Sequence, residues 1–342
     1  PLSYELENLG EAIPRVTACN EGSAIGMAIG SFLATSRPAL VYMQNSGLGN
    51  AVNPIVALTD RSVYGVPLVM LIGWRGQPGT TDEPQHLKQG EITQELLNLM
   101  DVPCFTLPKN DLESKNLIHD AFRLAMERGG PVAILVERDS FISGNLSKLD
   151  DSVPPLSPLT REEAMQLVHG LVKVEDKVVA TTGMLGREVG EFQSSMLPKN
   201  RPGTFLVVGG MGHASSIALG ISLAKPSIRV WCFDGDGAML MHLGAVPVIA
   251  NSLPKDFMHV VFDNGAHDSV GGQKTFLEKS DLAKIGGAAG YTDSLVAYSE
   301  AEILDNLSIL LRKSGPRLLV IKVKSGSRPN LGRPKEAPRS AK

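Results

Sequence analysis

The chain has 342 residues, 43% hydrophobic and 20% charged, enough to bury two cores of roughly 150 residues each. Lys and Arg number 33 against 36 Asp and Glu, and a net charge of -3 argues against a nucleic-acid partner held through a broad basic face. No apolar run approaches the roughly 20 residues of a membrane span and the start lacks the basic-then-apolar layout of a secretory signal, so neither a membrane nor export is expected.

In chain order, Pro1 leads into a helix-like stretch carrying Leu2, Tyr4, Leu6 and Leu9. An α/β domain normally opens with a strand, so the first domain is expected to lack its initial strand and loop. A helix with Gly22, Gly26 and Gly30 on one face follows, a stripe that permits close packing against another backbone. Short apolar runs then alternate with helical stretches. The runs, read as strands, are Ala39–Met43, Val66–Ile72, Pro131–Glu137, Lys177–Ala180, Thr204–Val208, Arg229–Phe233, His259–Asp263 and Arg317–Val323. Nearly uninterrupted apolar strands separated by helices predict parallel sheets covered on both faces, hence an α/β protein with two doubly wound domains. The composition turns to Ser, Asp and Pro around Asp150, Asp151, Ser152, Val153, Pro154 and Pro155. The predicted organisation is a first domain over 1–150, a linker over 151–160, a second domain over 161–325 and a basic tail over 326–342. That tail, with Arg328, Arg333, Lys335, Arg339 and Lys342, is either solvated or folded over an anionic site. The three cysteines, Cys19, Cys104 and Cys232, are scattered and form no disulfide framework or CxxC metal site, so a reducing, cytoplasmic setting is expected.

Two constellations carry chemistry. An apolar strand ends in Gly235, Asp236 and Gly237, which brings a carboxylate to the carboxyl edge of a sheet where glycines let amides approach a phosphate. Asn264 closes a later strand and offers a second oxygen, so Asp236 and Asn264 together form a candidate Mg²⁺ site shared with phosphate oxygens. A plain Asp-Gly turn would look the same. The second constellation is Glu21 at the start of the glycine-striped helix, where the helix dipole favours a carboxylate.

Together these segments resemble the thiamine diphosphate-dependent enzymes. Further stretches, Tyr42 to Asn50, Gly73 to Gly76, Asp82 to His86, Asn264 to Gln273 and Asn330 to Pro334, resemble the phosphonopyruvate decarboxylase family, close to the sulfopyruvate decarboxylases, with a match from about Pro1 to Pro334. The resemblance implies a pyrimidine-binding first domain, a diphosphate-binding second domain, and thiamine diphosphate and Mg²⁺ as cofactors. It implies that Glu21 meets the pyrimidine ring nitrogen, Gly209 receives the pyrimidine amino group, and Met211 wedges the cofactor into its bent form. Asp236, Asn264 and the Ala266 carbonyl would hold Mg²⁺, with Gly237, Ala238, Thr181, Thr182 and Gly183 at the diphosphate. The implied reaction is non-oxidative decarboxylation of 3-phosphonopyruvate to phosphonoacetaldehyde in phosphonate biosynthesis. Sulfopyruvate or another 2-oxo acid is the alternative. Such substrates are polyanions, so Arg75, His86, Lys88, His213, His267 and Lys274 are candidate cationic or proton-transferring groups, with Gln44, Asn45 and Ser46 as neutral donors. His86 and His267 are the candidates for catalysis beside Glu21. The resemblance also implies a homodimer or larger assembly whose sites lie between subunits.

A rival reading takes Gly210, Gly212 and Ser215 after a strand, with Asp234 on the next, as a dinucleotide fingerprint of an NAD-dependent oxidoreductase. It leaves Glu21 and Asn264 without a role. A non-catalytic relative that binds cofactor without turnover is a third reading.

Overall fold

A computed structural model of the chain describes residues 14–141 and 157–332 other than 270, 276 and 278. The helix-like stretch from Leu2 to Leu9, the Asp150–Pro155 run and the tail beyond Gly332 lie outside the described residues. Two compact units emerge, Pro1–Ser147 and Lys148–Lys342.

The first unit is built on four parallel strands in the order β1 (Ala39–Gln44), β2 (Leu68–Gly73), β4 (Pro131–Val136), β3 (Cys104–Thr106). Its helices are α1 (Glu21–Thr35), α2 (Leu48–Pro54), α3 (Pro84–Leu99) and α4 (Asp111–Arg128). β2 and β4 are apolar without alternation because both faces are covered. Leu68, Met70 and Ile72 pack with Ile25 and Ala28 of α1 and Leu97 of α3, while Val69, Leu71, Val132 and Ile134 pack with Ala121 and Ala125 of α4. α4 is bounded by its sequence. The Asn110 side chain accepts from the amides of Leu112 and Glu113, and Gly129 ends the helix at φ 60°. Of the glycine stripe on α1, only Gly22 is packed closely, since a Cβ there would lie 2.8 Å from the Asn50 carbonyl oxygen; nothing lies within 4 Å of one at Gly26 or Gly30.

The second unit has six parallel strands in the order β6 (Gly203–Leu206), β5 (Lys177–Ala180), β7 (Val230–Gly235), β8 (Asp256–Asp263), β10 (Gly315–Lys322), β9 (Asp293–Ala297). Its helices are α5 (Arg161–His169), α6 (Met184–Ser195), α7 (Ala214–Ala224), α8 (Asp236–Met241), α9 (Ala245–Ser252), α10 (Leu282–Ala289) and α11 (Glu300–Leu310). α5, α6 and α11 cover one face of the sheet, and α7, α9 and α10 cover the other. The chain leaves β5 towards β6 on one side and returns to β7 on the other, so the strand order reverses between β5 and β7. A crevice must open there at the carboxyl ends, because the connections on either side lead away from it.

The eight predicted strands all occur, with ends shifted by a few residues. β3 and β9 were not predicted. Each is a sheet edge, and Phe105 and Thr106 on β3 are exposed, so neither carries the continuous apolar signature of a central strand. Among the described residues no helix is long and apolar enough to cross a membrane.

Candidate active site

The switch point of the second unit gathers three loops into one pocket. It is lined by Thr181, Thr182 and Gly183 after β5, by Gly235, Asp236, Gly237 and Ala238 at the β7–α8 junction, and by Asn264, Ala266, His267 and Asp268 after β8, with Met211 on its rim. Gly183 sits at φ 96°, a conformation strained for residues with a Cβ, and turns the chain into α6 so that the helix N-terminus lines the pocket. Thr182 Oγ1 donates to the Val208 carbonyl at 3.0 Å. The Thr181 hydroxyl, buried in the same wall, has no protein partner.

Asp236 is 2% exposed and accepts a 2.7 Å hydrogen bond from Thr275 Oγ1. Burial, and then the negative charge of Asp263, push its carboxyl up to about 7, with the Thr275 hydroxyl and the Gly237 amide pulling the other way. Asp263 is paired with Lys322. A buried carboxylate in this state gains most from a cation placed against it. Asn264 donates from Nδ2 to Asp268 Oδ2 at 2.6 Å and accepts at Oδ1 from the Ala266 amide at 3.1 Å. A Cβ at Gly237 would lie 2.5 Å from His267 Nδ1, so the missing side chain lets the imidazole approach the loop; burial lowers the pKa of His267 and favours its neutral form. Hard oxygen donors, an orphaned hydroxyl and a helix N-terminus in one wall fit a cation-bound diphosphate.

Gly209, His213 and Lys274 are not part of this lining. His213 is exposed and stacks on His242 with ring centroids 4.4 Å apart. Lys274 is exposed and its backbone bridges to Ala266. Asp234, the carboxylate of the dinucleotide reading, is completely buried and faces the core, with Oδ1 on the Gly235 amide at 3.0 Å and Oδ2 3.4 Å from His259 Nε2. A ribose could not reach it. A wider surface cleft along α10 and β9 contains none of the proposed site residues.

In the first unit Glu21 begins α1, with Asn20 capping the helix by accepting from the Ser23 amide at 2.9 Å. The Glu21 carboxylate accepts from Asn50 Nδ2 at 2.9 Å and lies over Gly47, where a Cβ would come 2.5 Å from Glu21 Cγ and closer still to the carboxylate. Asn45 is buried and serves as a brace, donating to the Arg75 carbonyl at 2.8 Å and Thr93 Oγ1 at 3.0 Å while accepting from the Arg75 amide at 3.0 Å. Ser46 donates to the Gln44 side-chain oxygen at 2.8 Å. Arg75 turns Nε and Nη2 to the two oxygens of Asp82 at 2.7 and 2.5 Å, so its charge is shared. Half-buried His86 has an unpartnered Nδ1, and burial, then Arg75, lower its pKa. Lys88 is exposed and pairs with Glu91 at 3.0 Å.

Four residues were not singled out from the sequence: Arg161 and Asp268, which line the pocket, and Thr275 and Glu188, which bond the lining residues Asp236 and Arg161 from behind. Arg161 is buried, with Nε and Nη2 each 2.9 Å from an oxygen of Glu188 and Nη1 2.9 Å from Asp268. Burial works to lower the Arg161 pKa, but the bonds to Glu188 and then Asp268 outweigh it; burial raises that of Glu188 against the same pairing. The bidentate contact with two matched distances is that of an ionised pair, and the second carboxylate reinforces the guanidinium charge.

Residues 2–97 match the family model of the thiamine pyrophosphate enzyme N-terminal TPP binding domain, and residues 188–321 that of the C-terminal TPP binding domain. The class defined by the two sheets and the switch-point pocket is thus that of the thiamine pyrophosphate enzymes. Phosphonopyruvate decarboxylase of Streptomyces viridochromogenes is 32% identical over 94% of this chain and 82% of that protein. In Methanococcus maripaludis, sulfopyruvate decarboxylase subunit beta is 32% identical over 48% of this chain and 85% of its own, and subunit alpha 36% identical over 36% and 72%. The chain belongs to the phosphonopyruvate decarboxylase family of thiamine pyrophosphate enzymes.

Proposed function

We propose that the protein decarboxylates 3-phosphonopyruvate to phosphonoacetaldehyde and CO₂ with thiamine diphosphate and Mg²⁺, in phosphonate biosynthesis. The observation that carries the reading is the meeting of buried Asp236, the Asn264 amide and the orphaned Thr181 hydroxyl at the switch point. When bound, thiamine diphosphate supplies the carbon nucleophile for the ketone and the electron sink for the departing carboxylate.

The chain's residues do the rest. Asp236, Asn264 Oδ1 and the Ala266 carbonyl hold Mg²⁺, and Thr181, Thr182, Gly183, Gly237 and Ala238 hold the diphosphate. Glu21 would hold the pyrimidine ring nitrogen, the Gly209 carbonyl would accept from the pyrimidine amino group, and Met211 would pack against the cofactor between its two rings. His267 and His86, whose pKa values burial lowers, are the proposed proton carriers. Gln44, Asn45, Ser46, Arg75, Lys88, His213 and Lys274 form the proposed substrate-binding set. Within it Asn45 acts by bracing the Arg75 backbone, and a bound anion competes with Asp82 for the Arg75 fork. The pyrimidine-binding domain covers 1–150 and the diphosphate-binding domain 161–325. Two copies of the chain build each pair of sites, with Glu21 from one and Asp236 from the other, in the cytoplasm, where the free thiols of Cys19, Cys104 and Cys232 persist.

The test is CO₂ release from 3-phosphonopyruvate, sulfopyruvate and pyruvate with both cofactors added. The highest kcat/KM is expected for 3-phosphonopyruvate. Higher turnover of sulfopyruvate, which swaps phosphonate for sulfonate, moves the assignment to that substrate, and no release from any of the three refutes the reading. Glu21→Gln is expected to keep the cofactor and lose rate, and Asp236→Ala to lose Mg²⁺-dependent cofactor binding itself. Sedimentation that finds only monomer at assay concentration refutes the shared site.

A further inference from the structure

We propose that Asp268 is a positioning residue that sets which way round the Asn264 amide sits, so that Oδ1 rather than Nδ2 faces a divalent cation. The proposal rests on the reading of the pocket given above. The two ends of a side-chain amide are nearly equal in size, but only the oxygen can ligate a hard cation. Asn264 is gripped at both ends, by Asp268 Oδ2 at 2.6 Å from Nδ2 and by the Ala266 amide at 3.1 Å from Oδ1. An ionised carboxylate only accepts. Turning the amide over would set oxygen against oxygen at Asp268 and N–H against N–H at Ala266, losing both bonds and adding two repulsions.

Asp268 is itself held from several sides, which is what a positioning group requires. Its Oδ2 also accepts from Arg161 Nη1 at 2.9 Å and the Gly326 amide at 3.0 Å, and its Oδ1 from Ser325 Oγ at 2.9 Å. Arg161 is anchored in turn by Glu188 and by the Gly326 carbonyl at 3.3 Å. The segment after β10 therefore closes on the metal loop. Arg328 extends that closure, with Nε 3.1 and 3.0 Å from the Glu162 oxygens and Nη2 2.6 Å from Glu191. A ligand whose orientation is fixed beforehand need not be reorganised when the cation arrives.

The experiment is a Mn²⁺ titration followed by electron paramagnetic resonance, with thiamine diphosphate present, on the full chain and on Asp268→Ala, Asp268→Ser, Asp268→Asn and Asp236→Ala. Thermal unfolding of each is recorded without metal or cofactor. Asp268→Ala is expected to weaken Mn²⁺ by about 10- to 100-fold. Asp268→Ser, whose hydroxyl donates as readily as it accepts and so tolerates either amide orientation, is expected to fall with it and replaces it if the alanine variant does not fold. Asp268→Asn can keep an oxygen towards Asn264 and turn its NH₂ to the Ser325 hydroxyl, so it is expected to recover most of the affinity. Parent-like Mn²⁺ binding in the alanine and serine variants, or an asparagine variant as weak as both, overturns the proposal, as do losses that simply follow the unfolding temperatures. If Asp236→Ala also binds Mn²⁺ like the parent, the pocket is not the metal site and the underlying reading fails with it.

Discussion

Gly47→Ala isolates the contribution of Glu21 placement to catalysis. Gly47 sits at φ -87° and ψ -9°, a helical conformation that alanine adopts without strain. The added methyl would lie 2.5 Å from Glu21 Cγ, and closer to the carboxylate, where about 3.5 to 4.0 Å is an ordinary separation between carbons. The side chain must therefore move by about 1 Å or more, and it can, because it is the end of a flexible chain beside an exposed Asn50. Losing the hydrogen bond to Asn50 costs about 0.5–1.5 kcal/mol. Replacing glycine in a compatible helical conformation returns about 0.4–1 kcal/mol. These nearly cancel, so Tm should stay within about 4 °C of the parent. Catalysis has no such offset, since a misplacement of about 1 Å can cost about 100-fold in rate. The assay is kcat for CO₂ release at saturating thiamine diphosphate and Mg²⁺, with cofactor affinity measured alongside. A parent kcat in a folded Gly47→Ala protein would refute the role given to the position of Glu21.

Thr275→Val removes the hydroxyl that donates to Asp236; Mg²⁺ affinity in the presence of cofactor should fall by about 10- to 100-fold, as when an outer partner of a metal ligand is lost, and the loss of a buried bond to a charged group, about 1.5–3 kcal/mol, should lower Tm by about 3–12 °C, both read by calorimetry. The Asp236 carboxyl stands at about 7 in the folded chain against an ordinary 3.8, so between those values the folded state binds the extra proton. Its contribution to metal-free stability is full below about pH 4 and is lost as pH rises through about 7. Mg²⁺ replaces that proton, so binding near pH 6 should release protons and binding at pH 8 should release almost none, as heats in buffers of different ionisation enthalpy will show. Glu188→Ala leaves the buried Arg161 guanidinium without its bidentate partner, a change worth about 3–5 kcal/mol, and a fall in Tm of about 6–15 °C is expected by calorimetry.

Much of the fold was legible in order along the chain, because central parallel strands carry nearly continuous apolar runs and β2, β4, β7, β8 and β10 announce themselves by them. The edges β3 and β9 are short and partly solvated, and neither carries an apolar run long enough to stand out. The glycine stripe on α1 had a correct period but an uneven meaning, since only Gly22 meets a backbone within the chain.

At the site, Asp236, Asn264 and Glu21 could be picked out by local pattern, because a carboxylate between glycines at a strand end and a carboxylate at a helix start are properties of neighbouring residues. What surrounds them could not. Arg161, Glu188, Asp268 and Ser325 are spread over more than half of the second unit, and Thr275 reaches Asp236 only because the loop after β8 folds back on β7. Likewise Arg75 reads as a free cation until the turn brings Asp82 to it. Residue type and spacing determined which groups could do the chemistry. Only the tertiary structure decided which are charged, oriented or already spoken for, because burial and partners drawn from distant segments set those properties.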